Sequence, residues 1–272
     1  MGVEQRDESV ESGQPIRCYE FSRGPLRWLY TDVDRDVTVD NKLFRCGYQV
    51  SDTGIENSGD SQTDALTVNI SGDADISQMF RVMAPSDAIR LAIWDTHFGE
   101  TEALVSWVGT IQNVRWPTLH TCEISCTSIA ASLDLPGLTL GWQRGCPYTL
   151  YDKNCRVNSQ AFKVTGIVHT ASGNTATMQE AASFPNHWFS GGYLEWEITT
   201  GVMERRGVRQ QIGDTLLLLG GAHGLPAGQV ISLYPGCYRT LDTCDIKFNN
   251  LPNFGGHPHL PGRSPFDGNP VF

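Results

Sequence analysis

The sequence predicts a mainly β protein in two parts, and three observations predict it. Short segments rich in β-branched and aromatic residues recur along most of the chain, each bounded by Gly, Pro, Asn or Asp. One of them, residues 65–70, alternates cleanly: Leu66, Val68 and Ile70 fall on one face and Thr67 and Asn69 on the other, the period of a half-buried strand. Helical patterning is limited to Asp75–Met83, where Ile76, Met79, Phe80 and Val82 are suitably spaced, and to one turn within 127–140.

Taken in order, the first dozen residues are polar and expected to be loose. Strands are predicted at Ile16–Phe21, Leu26–Thr31, Val37–Val39 and Leu43–Val50, with Asp40-Asn41 as the hairpin turn between the last two. An acidic, glycine-bearing loop over 51–63 leads into the alternating strand. Further strands follow at Ile89–Trp94, Leu104–Val114 and Leu119–Cys126. In the last, Cys122 and Cys126 imitate a Cys-x3-Cys ligand pair. On an extended strand, at roughly 3.3 Å per residue, they stand about 13 Å apart, too far to share one metal. They are predicted to be small core residues, as are Cys18 and Cys46. Pro136-Gly137 is the expected domain boundary, giving parts at 1–138 and 139–272. Beyond it, strands are predicted at Phe162–His169, Thr175–Gln179, Gly192–Ile198, Gly201–Gln211, Thr215–Leu219 and Gln229–Leu233. The run Leu216-Leu217-Leu218-Leu219 is expected to be buried. From Phe248 onward Asn, Gly and Pro dominate, with Phe254, Phe266 and Phe272 spaced along the stretch. An irregular arm that plants its aromatic rings on a neighbouring surface is expected there.

Composition excludes several functions. The 272 residues carry a net charge of −10, which argues against a grip on nucleic acid built from clustered Lys and Arg but suits a surface that DNA slides past. No apolar run approaches a membrane span, and the acidic first residues do not resemble a signal. Met1-Gly2 lacks the Ser or Thr at position 6 that myristoylation requires. Eight cysteines without a secretory signal point to synthesis in a reducing cytoplasm, where thiols serve as metal ligands or core residues more often than as disulfides. The seven histidines form no His-x3-His pair with a carboxylate, and no nucleophile elbow, phosphate loop or dinucleotide fingerprint is present. No catalytic residue is assigned. Glu180, Glu195, Glu197 and Glu204 are read as a solvated sheet face, Arg205-Arg206 as partners of local carboxylates, and His257-Pro258-His259 as exposed loop.

Cys146, Cys155, Cys237 and Cys244 form the constellation that carries chemistry. They come as Cys-x8-Cys and Cys-x6-Cys, each with Gly or Pro beside its first cysteine and with a long β-rich insert between the pairs. Four thiolates converging from two loops meet the needs of an all-cysteine zinc site or of a cubane iron–sulfur cluster. The loops are longer than the Cys-x2-Cys knuckles of structural zinc and suit a bulkier object. Two disulfides or four unrelated buried thiols would use the same residues.

The flanking residues add a resemblance. Gln143-Arg144-Gly145-Cys146-Pro147-Tyr148-x2-Tyr151-x3-Cys155-x-Val157-Asn158 resembles one signature of a family of bacteriophage tail hub and tail-tip proteins. Tyr234-Pro235-Gly236-Cys237-x2-Thr240-Leu241-x2-Cys244-x2-Lys247-Phe248-x-Asn250 resembles a second, continued by Asn253-Phe254-Gly255-Gly256-x-Pro258-x2-Pro261. The first half is similar too, at Tyr30-Thr31-x2-Asp34-x-Asp36-Val37-Thr38-Val39 and Gln78-Met79-Phe80-Arg81-Val82. The family includes lambda-type tail tip proteins and hub proteins of gene transfer agents.

The resemblance implies a structural virion protein at the distal end of a long tail, not an enzyme. It implies a homotrimer that joins the tail tube and the distal tail protein to the central tip or fibre protein, with genome DNA passing through unbound. It further implies a β-barrel-like N-terminal hub domain and a C-terminal β domain whose Cys146, Cys155, Cys237 and Cys244 ligate a [4Fe–4S] cluster, with zinc as the alternative. Ligation would staple loops far apart in sequence. A tail-borne hydrolase and a zinc-stapled receptor-binding module are the competing functions.

Overall fold

The computed structural model describes residues 13–56, 65–134 and 140–261. The first dozen residues, most of the acidic loop, Pro136-Gly137, and the arm beyond Pro261 with Phe266 and Phe272 lie outside them. The chain divides into two compact units, one of residues 1–136 with 198–204 and the other of 137–197 with 205–272. Both are built of β-strands, as the sequence predicts.

The first unit holds β1 (Pro15–Arg23), β2 (Leu26–Thr31), β3 (Val37–Val39), β4 (Lys42–Phe44), β5 (Ser51–Asp52), β6 (Ala65–Ser71), β7 (Arg90–His97), β8 (Leu104–Arg115) and β9 (Thr121–Ser128). Seven of them make one sheet in the order β2-β1-β7-β8-β9-β6-β5, and β3 and β4 form a separate hairpin. Alternation sets its packing. Leu66, Val68 and Ile70 lie opposite Cys126, Ile124 and Cys122, and all six are buried. Cys122 and Cys126 are thus the small members of cross-strand pairs, which is why a short apolar side chain is used there. Cys18 is buried as well, but Cys46 is half-exposed, because its backbone is turned outward to bond the Asp36 carboxylate at 2.9 Å. The Asp40-Asn41 turn has φ of 47° and 60°, as a two-residue hairpin with the twist of its strands demands.

Two predicted segments are shorter. The chain leaves its ladder after Phe44, since Gly47 at φ 90° and Gln49 at φ 47° break the extended backbone before β5. The helix ends at Met79. Buried Arg23 donates to Glu204 at 2.6 Å, so Glu204 belongs to a buried ion pair and not to a solvated face.

The second unit closes on itself. β10 (Val164–Ser172), β11 (Thr175–Met178), β12 (Tyr193–Thr199), β13 (Val202–Ile212), β14 (Thr215–Leu218) and β15 (Val230–Tyr234) form a closed barrel in the order β10-β11-β14-β13-β12-β15. Its interior is filled by Val168, Met178, Phe189, Leu194, Trp196 and Val208, among others, and among the described residues contains no cysteine. In the leucine run, Leu216 and Leu218 point inward while Leu219 is exposed, the period-two alternation of a strand with one wet face. Phe162 does not begin a strand. Asn158 caps a short helix, Ser159–Phe162, by accepting from the Gln160 N–H at 3.0 Å. Among the described residues no helix is long and apolar enough to cross a membrane.

Candidate metal centre

The two cysteine loops leave the barrel from opposite ends of its sequence and meet. Cys146, Cys155, Cys237 and Cys244 all line one cavity of about 220 Å³, together with Tyr148, Tyr151, Tyr193 and Phe248. Each cysteine is placed by a local device. The Asp152 carboxylate gathers the backbone N–H groups of Cys155 (2.6 Å), Asn154 (2.8 Å) and Thr149 (3.2 Å), which curls the chain and turns Cys155 inward. Those bonds, that of Cys155 foremost, hold the Asp152 carboxyl below the usual carboxylate range. Cys244 sits in a π-helical turn, Thr243–Lys247, and in its thiol form donates to the Asn250 carbonyl at 3.3 Å. The Arg239 N–H points at the Cys237 sulfur from 3.3 Å, and Arg239 reaches this position with a φ of 60°.

Other bonds tie the first loop to the second. The Cys146 N–H donates to the Arg239 carbonyl at 2.8 Å, and the Tyr151 hydroxyl to the Pro235 carbonyl at 2.9 Å. Asn250 donates through Nδ2 to the Cys155 carbonyl at 2.6 Å while its own N–H bonds the Cys244 carbonyl. Below the sulfurs, Phe248 meets Phe162 edge-on at 5.0 Å and Tyr151 at 6.4 Å. The last described residues complete the wall. Trp142 stacks on His257 at 4.7 Å, and the Arg144 guanidinium donates to the Leu260 carbonyl at 2.7 Å. Gly255 lies against the Tyr148 ring, where a Cβ would overlap ring carbons. The described part of the arm therefore folds back on its own unit.

The thiols also act on one another. Burial pushes the Cys244 thiol up to about 11, and the neighbouring Cys237, Cys146 and Cys155 add to it. Cys237 is raised by burial first, with Cys155 and Cys146 contributing. Among the described residues, no three His, Cys, Asp or Glu side chains close on a single-ion position. The sequence singled out the four cysteines, gave no role to Lys247 and Asn250, which appear only within a signature, and missed Asp152. Their signal was the turn-forming Asp152-Lys153-Asn154 and the fixed offset of Lys247 and Asn250 from Cys244.

The remaining flagged residues do not converge. His97 is buried and accepts from the Gln14 N–H at 3.2 Å, His257 and His259 are exposed, and Arg205 pairs with Glu195 at 3.1 Å.

The family model described as "Baseplate hub protein, N-terminal attachment domain" matches residues 16–158, more than half of the chain. The chain belongs to this phage baseplate hub family. A second model, "Phage conserved hypothetical protein BR0599", matches residues 187–264, a stretch that holds Cys237 and Cys244. An uncharacterized protein of Xylella fastidiosa (strain 9a5c) is 24% identical over 172 residues, covering 58% of this chain and 35% of the relative. The chain thus spans about a third of the length of the curated relative it matches. Among solved structures, a chain from the virion of a native gene transfer agent particle superposes with a TM-score of 0.80 at 19% identity, over 99% of this hub-family chain and 95% of that one. At that identity the likeness is one of fold.

Proposed function

We propose that the chain is a trimeric hub at the distal end of a long tail, joining the tail tube to the central tip or fibre protein, with its second unit stapled by a [4Fe–4S] cluster. Membership of the baseplate hub family supports a structural role in a tail. The observation that carries the cluster is that four cysteines from two sequence-distant loops line one cavity.

The residues fit the group. Four sulfurs around one zinc stand about 3.8 Å apart, given Zn–S bonds of about 2.3 Å. No three donors among the described residues come together in that way, yet all four cysteines line a common cavity. The Arg239 N–H aimed at the Cys237 sulfur is the kind of bond that stabilises ligated sulfur. When bound, the cluster would supply cross-links between the loops, and Cys146, Cys155, Cys237 and Cys244 would hold it.

Two measurements test this reading. Protein purified without oxygen should be brown and hold about four iron and four sulfide per chain; a colourless protein with one zinc would keep the staple and remove the cluster. Cross-linking of intact tails should join three copies to one another and to the tube and tip proteins. Links to capsid proteins alone would place the chain elsewhere in the particle.

A further inference from the structure

Among the described residues of the cysteine loops, the half-buried Lys247 is a cation with inward-facing partners, and it is not one of the candidate ligands. Lys247 leaves the π-helical turn that carries Cys244 and reaches away from solvent. Its ammonium donates to the Gly236 carbonyl at 2.7 Å and to the Trp188 carbonyl. It lies over the Trp188 ring at 4.5 Å and near the Phe248 ring at 5.4 Å. Gly236 directly precedes Cys237. A Cβ there would overlap the Ser190 carbonyl oxygen, and one at Gly192 would overlap that of Tyr234, so the Gly236–Cys237 turn is pressed against segment 188–192. That segment is itself bonded to the barrel through Gly191 and Gly192 to Val208, at 2.8 Å in each direction. Lys247 bridges the two surfaces of this contact, one carbonyl on each.

Burying an ammonium between aromatic rings is costly, and burial depresses Lys247 to about 8. A neutral residue of similar length would fill the space without that cost, so the charge calls for a reason. The ammonium sits on the carbonyl of Gly236, one peptide unit from the Cys237 side chain, so its charge is held next to that cysteine. Four thiolates around a cluster would leave a net negative centre beside it.

We propose that Lys247 is the positioning residue of the cysteine centre: it clamps the Gly236–Cys237 turn onto segment 188–192 and sets a positive charge beside Cys237. The charge half rests on the cluster reading given above; the clamping half does not.

The test separates the two. Lys247→Met keeps the apolar stem over Trp188 and loses both donors and the charge, whereas Lys247→Arg keeps the charge. In cluster-free full-length protein, amide exchange over 236–239 should be about tenfold faster in Lys247→Met, from the loss of bonds made by a charged donor, with exchange in β10 and β11 unchanged. Unchanged exchange at 236–239 would overturn the clamp. In protein reconstituted with iron and sulfide, the reduction potential should fall in Lys247→Met and return toward the natural value in Lys247→Arg. Equal potentials in all three would overturn the charge. If natural protein takes up no iron, the cluster reading fails and the exchange result still decides the clamp. If Lys247→Met does not fold, Lys247→Gln offers the same comparison with one donor kept. Global unfolding of both would make Lys247 an ordinary core residue and sink the proposal.

Discussion

Single thiols in this chain do two opposite jobs. Cys18 and Cys126 are packing residues, and burial pushes each of them up to about 12. A thiol raised in the folded state contributes stability that is fully present below its unfolded value near 9 and is lost as pH climbs toward 12. The first unit should therefore lose thermal stability above pH 9, on the order of 1 kcal/mol per pH unit for each such thiol. Thermal melts of natural protein and Cys126→Ala between pH 8 and 10.5 check this: the variant should decline less steeply, and parallel curves would mean the thiol does not titrate. The same variant, and Cys122→Ala, should leave metal content untouched, since these side chains face Leu66 and Ile70 across the sheet. Cys146→Ser should strip the metal. Iron loss in Cys122→Ala as complete as in Cys146→Ser would overturn the ligand set.

At the scale of elements, turn chemistry decides register. Asn41 holds φ 60° in the β3–β4 hairpin, a conformation that costs a β-branched residue more than the roughly 1–2 kcal/mol paid by other side chains. Asn41→Val should lower the denaturant midpoint of the first unit, whereas Asn41→Gly should leave it level or raise it; a Val variant as stable as the natural protein would show the hairpin to be unimportant. This turn was legible in the sequence because Asp-Asn between two apolar runs has one dominant geometry. The alternating strand and the core cysteines of β9 were legible for a similar reason, since a period of two leaves few alternatives. Positions that depend on distant partners were not. Nothing local tells that Gly47 and Gln49 end a strand, that β10 pairs with β15 across some 60 residues to close a barrel, or that Glu204 is buried beside Arg23. At the candidate site the four cysteines were visible by their chemistry. The residues that hold them, Asp152 and Asn250 above all, act through backbone groups that the sequence does not display.

For the whole molecule, the separation between barrel core and cysteine cavity has a measurable result. Among the described residues the barrel interior holds no cysteine, and the loops are tied together by Tyr151, Asn250 and the backbone of Cys146 as well as by any cluster. Cys237→Ser should abolish iron binding and speed amide exchange in 143–157 and 236–256, while β10, β11, β14 and β15 stay protected. Collapse of the barrel in this variant would mean that the cluster is needed for the fold of the unit and not only for its loops. Charge acts at the same scale. In the trimer proposed above, the net −10 predicts that the surfaces facing the channel carry more Asp and Glu than Lys and Arg, and a basic inner wall in a reconstructed tail would contradict that.

The closed barrel has one more consequence, which concerns what the protein avoids. A strand at a sheet border offers unpaired N–H and C=O groups to any chain that can add to it, a hazard wherever many β-rich proteins are packed together. Six strands closed in a ring expose no such border. In the first unit one border strand, β5, is only two residues long, and the other, β2, is shielded by a bridge from Tyr30 to Arg45. Built this way, the chain is poorly suited to runaway strand-to-strand growth, and its neighbours must recognise it by side chains and loops.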